Sequence, residues 1–564
     1  MSQTKIVVIG GVACGPKSAA RARRRDPHAD ITIIERGDLL SYAGCGMPYY
    51  IQGVIETTDE LMSTAAGAVR DAAFFDNVKA INVMDRTLAS GIDRKRKTVE
   101  VVSVETAEKS EVPYDKLVLA VGADALAPPF PGVDLKGVYR LNSPHDADKI
   151  KDAMLNGCKH AVIIGAGLIG IEVTEALAAH QLSVTIIEMM DSVVPAVLDL
   201  ETSAQLERHL CCNGVNVMTQ TKVQSLQGDD TGQVNAVITD RGSIEADMVL
   251  VAVGVRPNTK LAADAGLELG ITKAIKVNEY LQTSDPDIYA GGDCVENINL
   301  ISGRPAYVPL GSTANKHGRI IGDNVTGGKS TFKGVMGTVV FKAFDFNVGH
   351  TGLSEKECVK LGIPYVTAIT PGPDKAHYYP TSQSMVLKMI ASPDTGKLLG
   401  VQAVGEGDVV KRIDVAATAI TCGATVEDIS GLDLGYAPPY SSAVDLMAHA
   451  ANVIDNKNCG LARSIRASDL KQMMDSGEDF LLLDVRGAKE VEARPWNNPK
   501  VVNIPLGALR SRVDELPKDR EIITFCTVSL RGYEAQRVLD GEGFTRVRFL
   551  DGGVAGWPYS LDQE

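Results

Sequence analysis

Two cysteines stand in two unrelated settings, each able to support thiol chemistry. Cys45 lies in Ser41-Tyr42-Ala43-Gly44-Cys45-Gly46-Met47-Pro48-Tyr49, and Cys526 opens the loop Cys526-Thr527-Val528-Ser529-Leu530-Arg531. The thiolate is the reacting form of cysteine. The Gly-Met-Pro turn after Cys45 suits a helix start, where the dipole favours a thiolate. Five residues on stands Tyr50 rather than a second cysteine. A lone redox thiol cycles as a mixed disulfide, a persulfide or a sulfenic acid. The other eight of the ten cysteines show no such promise. There is no Cys-x-x-Cys and no Cys/His cluster at zinc spacing, so no metal is expected. Cys158, Cys211, Cys212, Cys358, Cys422 and Cys459 read as small buried hydrophobes, and Cys14 and Cys294 as spacers within glycine-containing motifs.

The elements ahead of Cys45 form a strand, a glycine turn, a helix and a second strand. The strand Lys5-Ile6-Val7-Val8-Ile9 enters Gly10-Gly11-Val12-Ala13-Cys14-Gly15, and Ile31-Thr32-Ile33-Ile34 ends at Glu35. The helix start faces a pyrophosphate, and the acid accepts from a ribose hydroxyl. Val12 replaces the middle glycine of G-x-G-x-x-G. A complete copy follows at Gly165-Ala166-Gly167-Leu168-Ile169-Gly170, with Glu188 ending the next strand. An acid there repels a 2′-phosphate, and Met189 and Met190 supply no cation, so NADH is favoured over NADPH. Two similar buried strands lead to Gly122-Ala123 and to Gly254, and Thr283-Ser284-Asp285-Pro286-Asp287-Ile288-Tyr289-Ala290-Gly291-Gly292-Asp293 follows the second.

At 564 residues the chain has room for about four domains. Its formal charge of −14 argues against nucleic acid as a partner. No apolar run approaches the roughly 20 residues of a membrane span, and no signal-peptide pattern precedes the first strand. A cytoplasmic protein is expected.

On these motifs, residues 1 to about 450 resemble the flavoprotein disulfide reductases. That resemblance implies an FAD-binding domain over 1–149 and 255–328, an NADH-binding domain over 150–254 and a dimerisation domain over 329–450. It implies cofactor contacts from Gly10, Gly11, Gly15, Glu35, Arg36, Ala123 and Asp293 and from Gly165, Gly167, Gly170, Glu188 and Gly254. Three branches of the family use a single cysteine: coenzyme A disulfide reductases, NADH oxidases and NADH peroxidases. The peroxidases place a histidine in the first glycine loop, and this loop has none. Ala19-Ala20-Arg21-Ala22-Arg23-Arg24-Arg25 is similar to the coenzyme A disulfide reductases. The resemblance implies that Arg21 and Arg24 hold coenzyme A phosphates, with Ser41 near the thiol. A cluster of guanidinium groups suits that ligand. Gly44 departs from the family's asparagine before the cysteine. Tyr378 and Tyr436 resemble tyrosines that reach a second copy's cysteine in a homodimer and give phenol protons to leaving sulfur. His377 is read as structural.

A polar stretch over 451–464 reads as a linker. Beyond it, over 465–564, the strand Phe480-Leu481-Leu482-Leu483-Asp484-Val485-Arg486, the loop from Cys526 to Arg531 and Asp551-Gly552-Gly553-Val554-Ala555-Gly556-Trp557 resemble the rhodanese family. Its loop N–H groups form an anion cradle for thiolate and persulfide, and Arg531 closes the loop. The family's Gly-His-Ile-Pro-Gly-Ala segment is absent, and Ser529 stands where relatives often have glycine. The expected fold is α/β: two Rossmann-like nucleotide-binding domains, an α/β dimerisation domain and a C-terminal rhodanese α/β domain.

The resemblance covers the whole chain and implies an NADH-dependent flavoprotein reductase of sulfur–sulfur bonds. Its substrates would be coenzyme A persulfide, polysulfide or coenzyme A disulfide. FAD, NADH and coenzyme A would act at Cys45, and Cys526 would handle sulfane sulfur. Two other readings stay open: an NADH oxidase cycling through a Cys45 sulfenic acid, and a low-turnover sulfur carrier or redox sensor.

Overall fold

A computed structural model describes residues 3–561. The chain forms two compact units, one of residues up to Met189 plus Thr221–Val335, the other of Met190–Gln220 plus the chain from Met336 onward.

The first unit holds two parallel sheets. One orders its strands Ile288–Ala290, Lys116–Leu119, Lys5–Ile9, Asp30–Ile34 and Asn82–Met84. The other includes Ser183–Ile187, His160–Ile164, Met248–Val251 and Val138–Tyr139. Runs such as KIVVI and HAVII are apolar at nearly every position because both faces of these sheets are covered. The helix Cys14–Arg25 packs one face of the first sheet, and the antiparallel strands Thr87–Asp93, Thr98–Ser103 and Lys109–Pro113 cover the other. The short strands Ala123–Ala125 and Val255–Pro257 pair antiparallel, which brings the two glycine-ended segments together.

In the second unit a five-stranded antiparallel sheet, Val339–Ala343, Phe346–Gly352, Leu398–Gly405, Ser384–Ala391 and Val366–Pro373, is backed by the helices Val409–Cys422 and Leu446–Asn458. A five-stranded parallel sheet follows, in the order Ser464–Ile465, Val547–Leu550, Glu521–Phe525, Phe480–Asp484 and Val501–Asn503. The helices Ala467–Asp475 and Leu530–Gly541 lie over its opposite faces. The α/β class expected from the motifs is the class observed.

Three local expectations differ from the structure. The segment 451–464 is mostly helix, because Leu446, Met447, Ala450, Ala451 and Ile454 form a buried stripe under its polar face. The helix Leu200–Cys212, in the stretch expected inside the nicotinamide domain, falls in the second compact unit. It starts at Asp199, whose carboxylate accepts from buried Gln402 at 2.8 Å. Cys211, Cys212, Cys422 and Cys459 are exposed, since all four sit at helix ends.

Candidate active site

The two glycine turns are built alike. A Cβ on Gly15 would stand 1.9 Å from the Gly10 carbonyl, and one on Gly170 would stand 2.2 Å from that of Gly165. Only glycine lets each helix start pack so near its strand. Around Gly167 the nearest atom to such a Cβ is 4.0 Å away, leaving room for a ligand. Glu35 accepts from the N–H groups of Gly11 at 2.6 Å and Gly37 at 2.8 Å. Glu188 accepts from Ala166 N–H at 2.9 Å. Each acid thus stands beside its own glycine loop. Arg36 lies 3.4 Å from Asp124 on an exposed edge. Ala123 pairs with Pro257, and the Gly254 carbonyl accepts from Leu126 N–H at 3.0 Å.

Asp293 follows Gly291-Gly292 after the strand Ile288–Ala290, and burial raises its carboxyl above the usual range. Its side chain accepts no hydrogen bond from a described residue, which suits a carboxylate that takes a ligand hydroxyl. An acid beside each turn, the opening at Gly167 and the unsatisfied Asp293 together fit a dinucleotide on each turn. Burial pushes Cys14 well up and Cys294 up to about 12, so both remain inert thiols.

Cys45 is exposed within the short turn Gly44–Gly46, directly before the helix Met47–Gln52 with Pro48 in its first turn. Tyr50 anchors that helix by donating to Asp148 at 2.7 Å, with Lys151 over its ring at 3.9 Å. Position 50 therefore packs an adjoining helix. Ser41 sits at φ 52° with its N–H on the Gly11 carbonyl at 2.8 Å, which links the thiol segment to the first glycine turn. Arg21 donates to Asp323 at 2.6 Å, and Arg25 lies 3.8 Å from the same carboxylate. Arg24 is exposed and bonds no described residue.

Sequence reasoning missed Glu172 and Glu175. Burial first, and then the charge of Glu175, raise Glu172 to about 7. Burial also raises the Tyr49 phenol, helped by the charges of Glu172, Glu175 and Cys45, so one small region contains all four groups. The signal was present: these are the only charged residues of the helix Leu168–Ala179, LIGIEVTEALAA.

Tyr378 and Tyr436 are both exposed, at 66% and 53%. They lie close enough to interact, and Tyr436 raises the Tyr378 phenol. The His377 ring stacks edge-on against Tyr378.

Cys526 is fully buried at the end of the strand Glu521–Phe525. The carbonyls of Cys526 and Thr527 accept from Val554 and Ala555 N–H, both at 2.9 Å. Trans peptide planes then turn the N–H groups of Thr527 and Val528 the opposite way, as an anion cradle requires. Ser529 adopts φ 82°, a glycine-like conformation, and donates to the Leu550 carbonyl at 3.4 Å. Arg531 forms a two-pronged pair with Glu490 at 2.6 and 2.7 Å and stands within electrostatic reach of the Cys526 thiol, and both raise the guanidinium. Thr527 donates to the same carboxylate at 3.0 Å. Arg531, the largest cause, holds Glu490 down at about 2. Sequence reading passed over Glu490, which lies 41 residues from Arg531.

Three family models match in chain order. Residues 4–311 match the pyridine nucleotide-disulphide oxidoreductases, 338–448 their dimerisation domain and 466–558 the rhodanese-like domain. A Pyrococcus horikoshii protein named NAD(P)H coenzyme A polysulfide/persulfide reductase is 37% identical over 80% of this chain and 98% of its own length. The solved NAD-dependent persulfide reductase from A. fulgidus is 44% identical, covering 98% of this chain and 100% of that one, with a TM-score of 0.93. The reduced CoADR-RHD of Bacillus anthracis is 36% identical, covering 99% and 98%, with a TM-score of 0.92. The glycine turns, the acids beside them and these matches agree: the chain belongs to the FAD- and NAD(P)H-dependent pyridine nucleotide-disulphide oxidoreductases and carries a C-terminal rhodanese-like domain.

Proposed function

We propose that this chain is an NADH-dependent reductase of persulfides and related sulfur–sulfur bonds, with a fused sulfur-carrying domain. One observation carries the reading: the same polypeptide holds an exposed lone thiol beside two nucleotide turns and a buried thiol in an arginine-closed loop. The names of its relatives point to the same chemistry.

Bound at the two turns, FAD and NADH supply two electrons as a hydride. Glu35 and Glu188 would hold the two riboses, and Asp293 would take a hydroxyl of the flavin chain. Glu188 favours NADH, since its charge repels a 2′-phosphate. Cys45 attacks the outer sulfur of R–S–SH, which forms a Cys45 persulfide and releases RSH. Two electrons then return Cys45 to the thiolate and release hydrosulfide. The sum is R–S–SH + NADH → RSH + HS⁻ + NAD⁺.

Arg24, with Arg21 and Ser41, would hold a phosphorylated R group such as coenzyme A. The pairing of Arg21 with Asp323 makes Arg24 the freer of the two guanidinium groups. Tyr378 and Tyr436 of a second copy would give a proton to the leaving sulfur. The dimerisation-domain match over 338–448 supports a homodimer. Cys526 would accept sulfane sulfur into its N–H cradle, with Arg531 balancing the charge. All ten thiols are unpaired, which suits the reducing cytoplasm. Among the described residues no helix is long and apolar enough to cross a membrane.

The test is stoichiometry without oxygen. With coenzyme A persulfide, one hydrosulfide should appear for each NADH oxidised. NADH consumption that requires oxygen and yields no sulfide would replace this reading with the oxidase.

A further inference from the structure

The Cys526 loop is held from behind by residues that lie outside the rhodanese-like fold. A Cβ on Gly553, which adopts φ 56°, would stand 2.4 Å from the Cys526 carbonyl, 2.8 Å from that of Thr527 and 2.9 Å from Ser529 N. With the bonds from Val554 and Ala555, this leaves the run 551–557 and the loop no slack against each other.

The far side of that run is clamped. Gln205 donates to the Ala555 carbonyl at 2.9 Å, and Arg208 donates to the Trp557 carbonyl at 3.0 Å. Lys457 pairs with Asp551 at 2.7 Å and donates to the Thr367 carbonyl at 2.6 Å. Asp551 is 1% exposed, so removing Lys457 would leave a buried charge without its partner. The helix bearing Gln205 and Arg208 is itself anchored. Buried Lys388 lies 3.2 Å from Asp199, 2.9 Å from Glu201 and 2.7 Å from Glu355. Arg466, just ahead of the helix Ala467–Asp475, adds a second cation by pairing with Glu355.

We propose that Gln205, Arg208 and Lys457 are positioning residues for Cys526. They fix the run 551–557, the run fixes the loop carbonyls, and the loop N–H groups thereby stay turned toward the sulfur. The catalytic consequence rests on reading Cys526 as the sulfane-sulfur site. Each loop hydrogen bond alone contributes little, so an unclamped run lets the loop open.

The full-length Gln205→Ala/Arg208→Ala double variant, Lys457→Met and Lys457→Arg provide the test. The first readout is the rate at which iodoacetamide alkylates Cys526, followed by peptide mass spectrometry. The double variant and Lys457→Met should react about tenfold faster than wild type, with Lys457→Arg near wild type. The second readout is sulfur transfer from thiosulfate to cyanide. There kcat should fall about tenfold with KM changing less, while NADH-dependent reduction of coenzyme A disulfide persists. That retained reduction also shows that the chain is folded. Unchanged alkylation overturns the proposal. Faster alkylation in a protein whose wild type transfers no sulfur supports the clamp and refutes the sulfur-carrying reading instead.

Discussion

Cys45 and Cys526 differ first in access. Cys45 is exposed at the mouth of a six-residue helix, while Cys526 is fully buried behind an arginine–glutamate pair. An exposed thiol accepts a bulky partner such as a coenzyme A compound. A buried one, in a cradle made of main chain, suits a single sulfur atom. They differ also in what surrounds them. Cys45 has a neighbouring carboxyl, Glu172, raised to about 7, and the Tyr49 phenol, pushed further up by burial, beside it. Cys526 has backbone groups and one guanidinium, neither of which changes charge near neutrality. Under the proposed function, proton-coupled reduction belongs with the first environment and sulfur storage with the second.

The largest effect expected is at Cys45 itself. Cys45→Ser should lower anaerobic NADH-dependent reduction on the order of a thousandfold or more, with any electron acceptor of the sulfur–sulfur class. A variant retaining a tenth of the activity would mean that the lone thiol is not the redox centre. Next comes Arg531→Lys, which removes the two-pronged contact to Glu490 and the planar donor near Cys526. Thiosulfate-to-cyanide transfer should fall roughly ten- to a hundredfold while coenzyme A disulfide reduction changes little. Equal losses in both reactions would erase the contrast between the sites.

A subtler difference lies in pH. Between the usual carboxyl range and about 7, folded chains keep a proton on Glu172 that unfolded chains have released. Stability therefore falls as pH rises through that window. Glu172→Gln should flatten this fall in thermal melts and remove a titration near 7 from NADH-dependent turnover. An unaltered pH profile would separate Glu172 from the Cys45 reaction. The smallest effect is at Ser529→Gly. Glycine relieves roughly 1 kcal/mol of strain at φ 82° and gives up a long hydrogen bond to Leu550. Sulfur transfer should stay within about twofold of wild type. A large loss would show that the hydroxyl itself takes part.

The legible parts of this molecule are local in sequence. That Glu35 and Glu188 stand beside glycine turns could be read because strand, turn, helix and acid follow one another within one βαβ stretch. Cys526 and Arg531 share a single loop. The parts that escaped depend on contacts between distant segments. Glu490 meets Arg531 across 41 residues, and Gln205 meets Ala555 across 350. Glu172 left a trace, a carboxylate on an apolar helix, but nothing in its own segment points to Cys45. The apparent linker misled because polar residues dominate 452–458, although Ala451 and Ile454 keep the helix stripe going. The exposed cysteines misled because residue type alone says nothing about a helix end.

The most direct test of two thiols with separate duties is a crossed assay under nitrogen. NADH oxidation would be followed for wild type, Cys45→Ser and Cys526→Ser, with coenzyme A disulfide and thiosulfate offered separately as sulfur substrates. Alongside it, persulfide on each cysteine would be mapped by mass spectrometry after thiosulfate treatment. The account predicts that Cys45→Ser loses all NADH oxidation yet still carries persulfide on Cys526. It also predicts that Cys526→Ser reduces coenzyme A disulfide normally and cannot take sulfur from thiosulfate. Persulfide on Cys526 that requires Cys45, or coenzyme A disulfide reduction that requires Cys526, would contradict it.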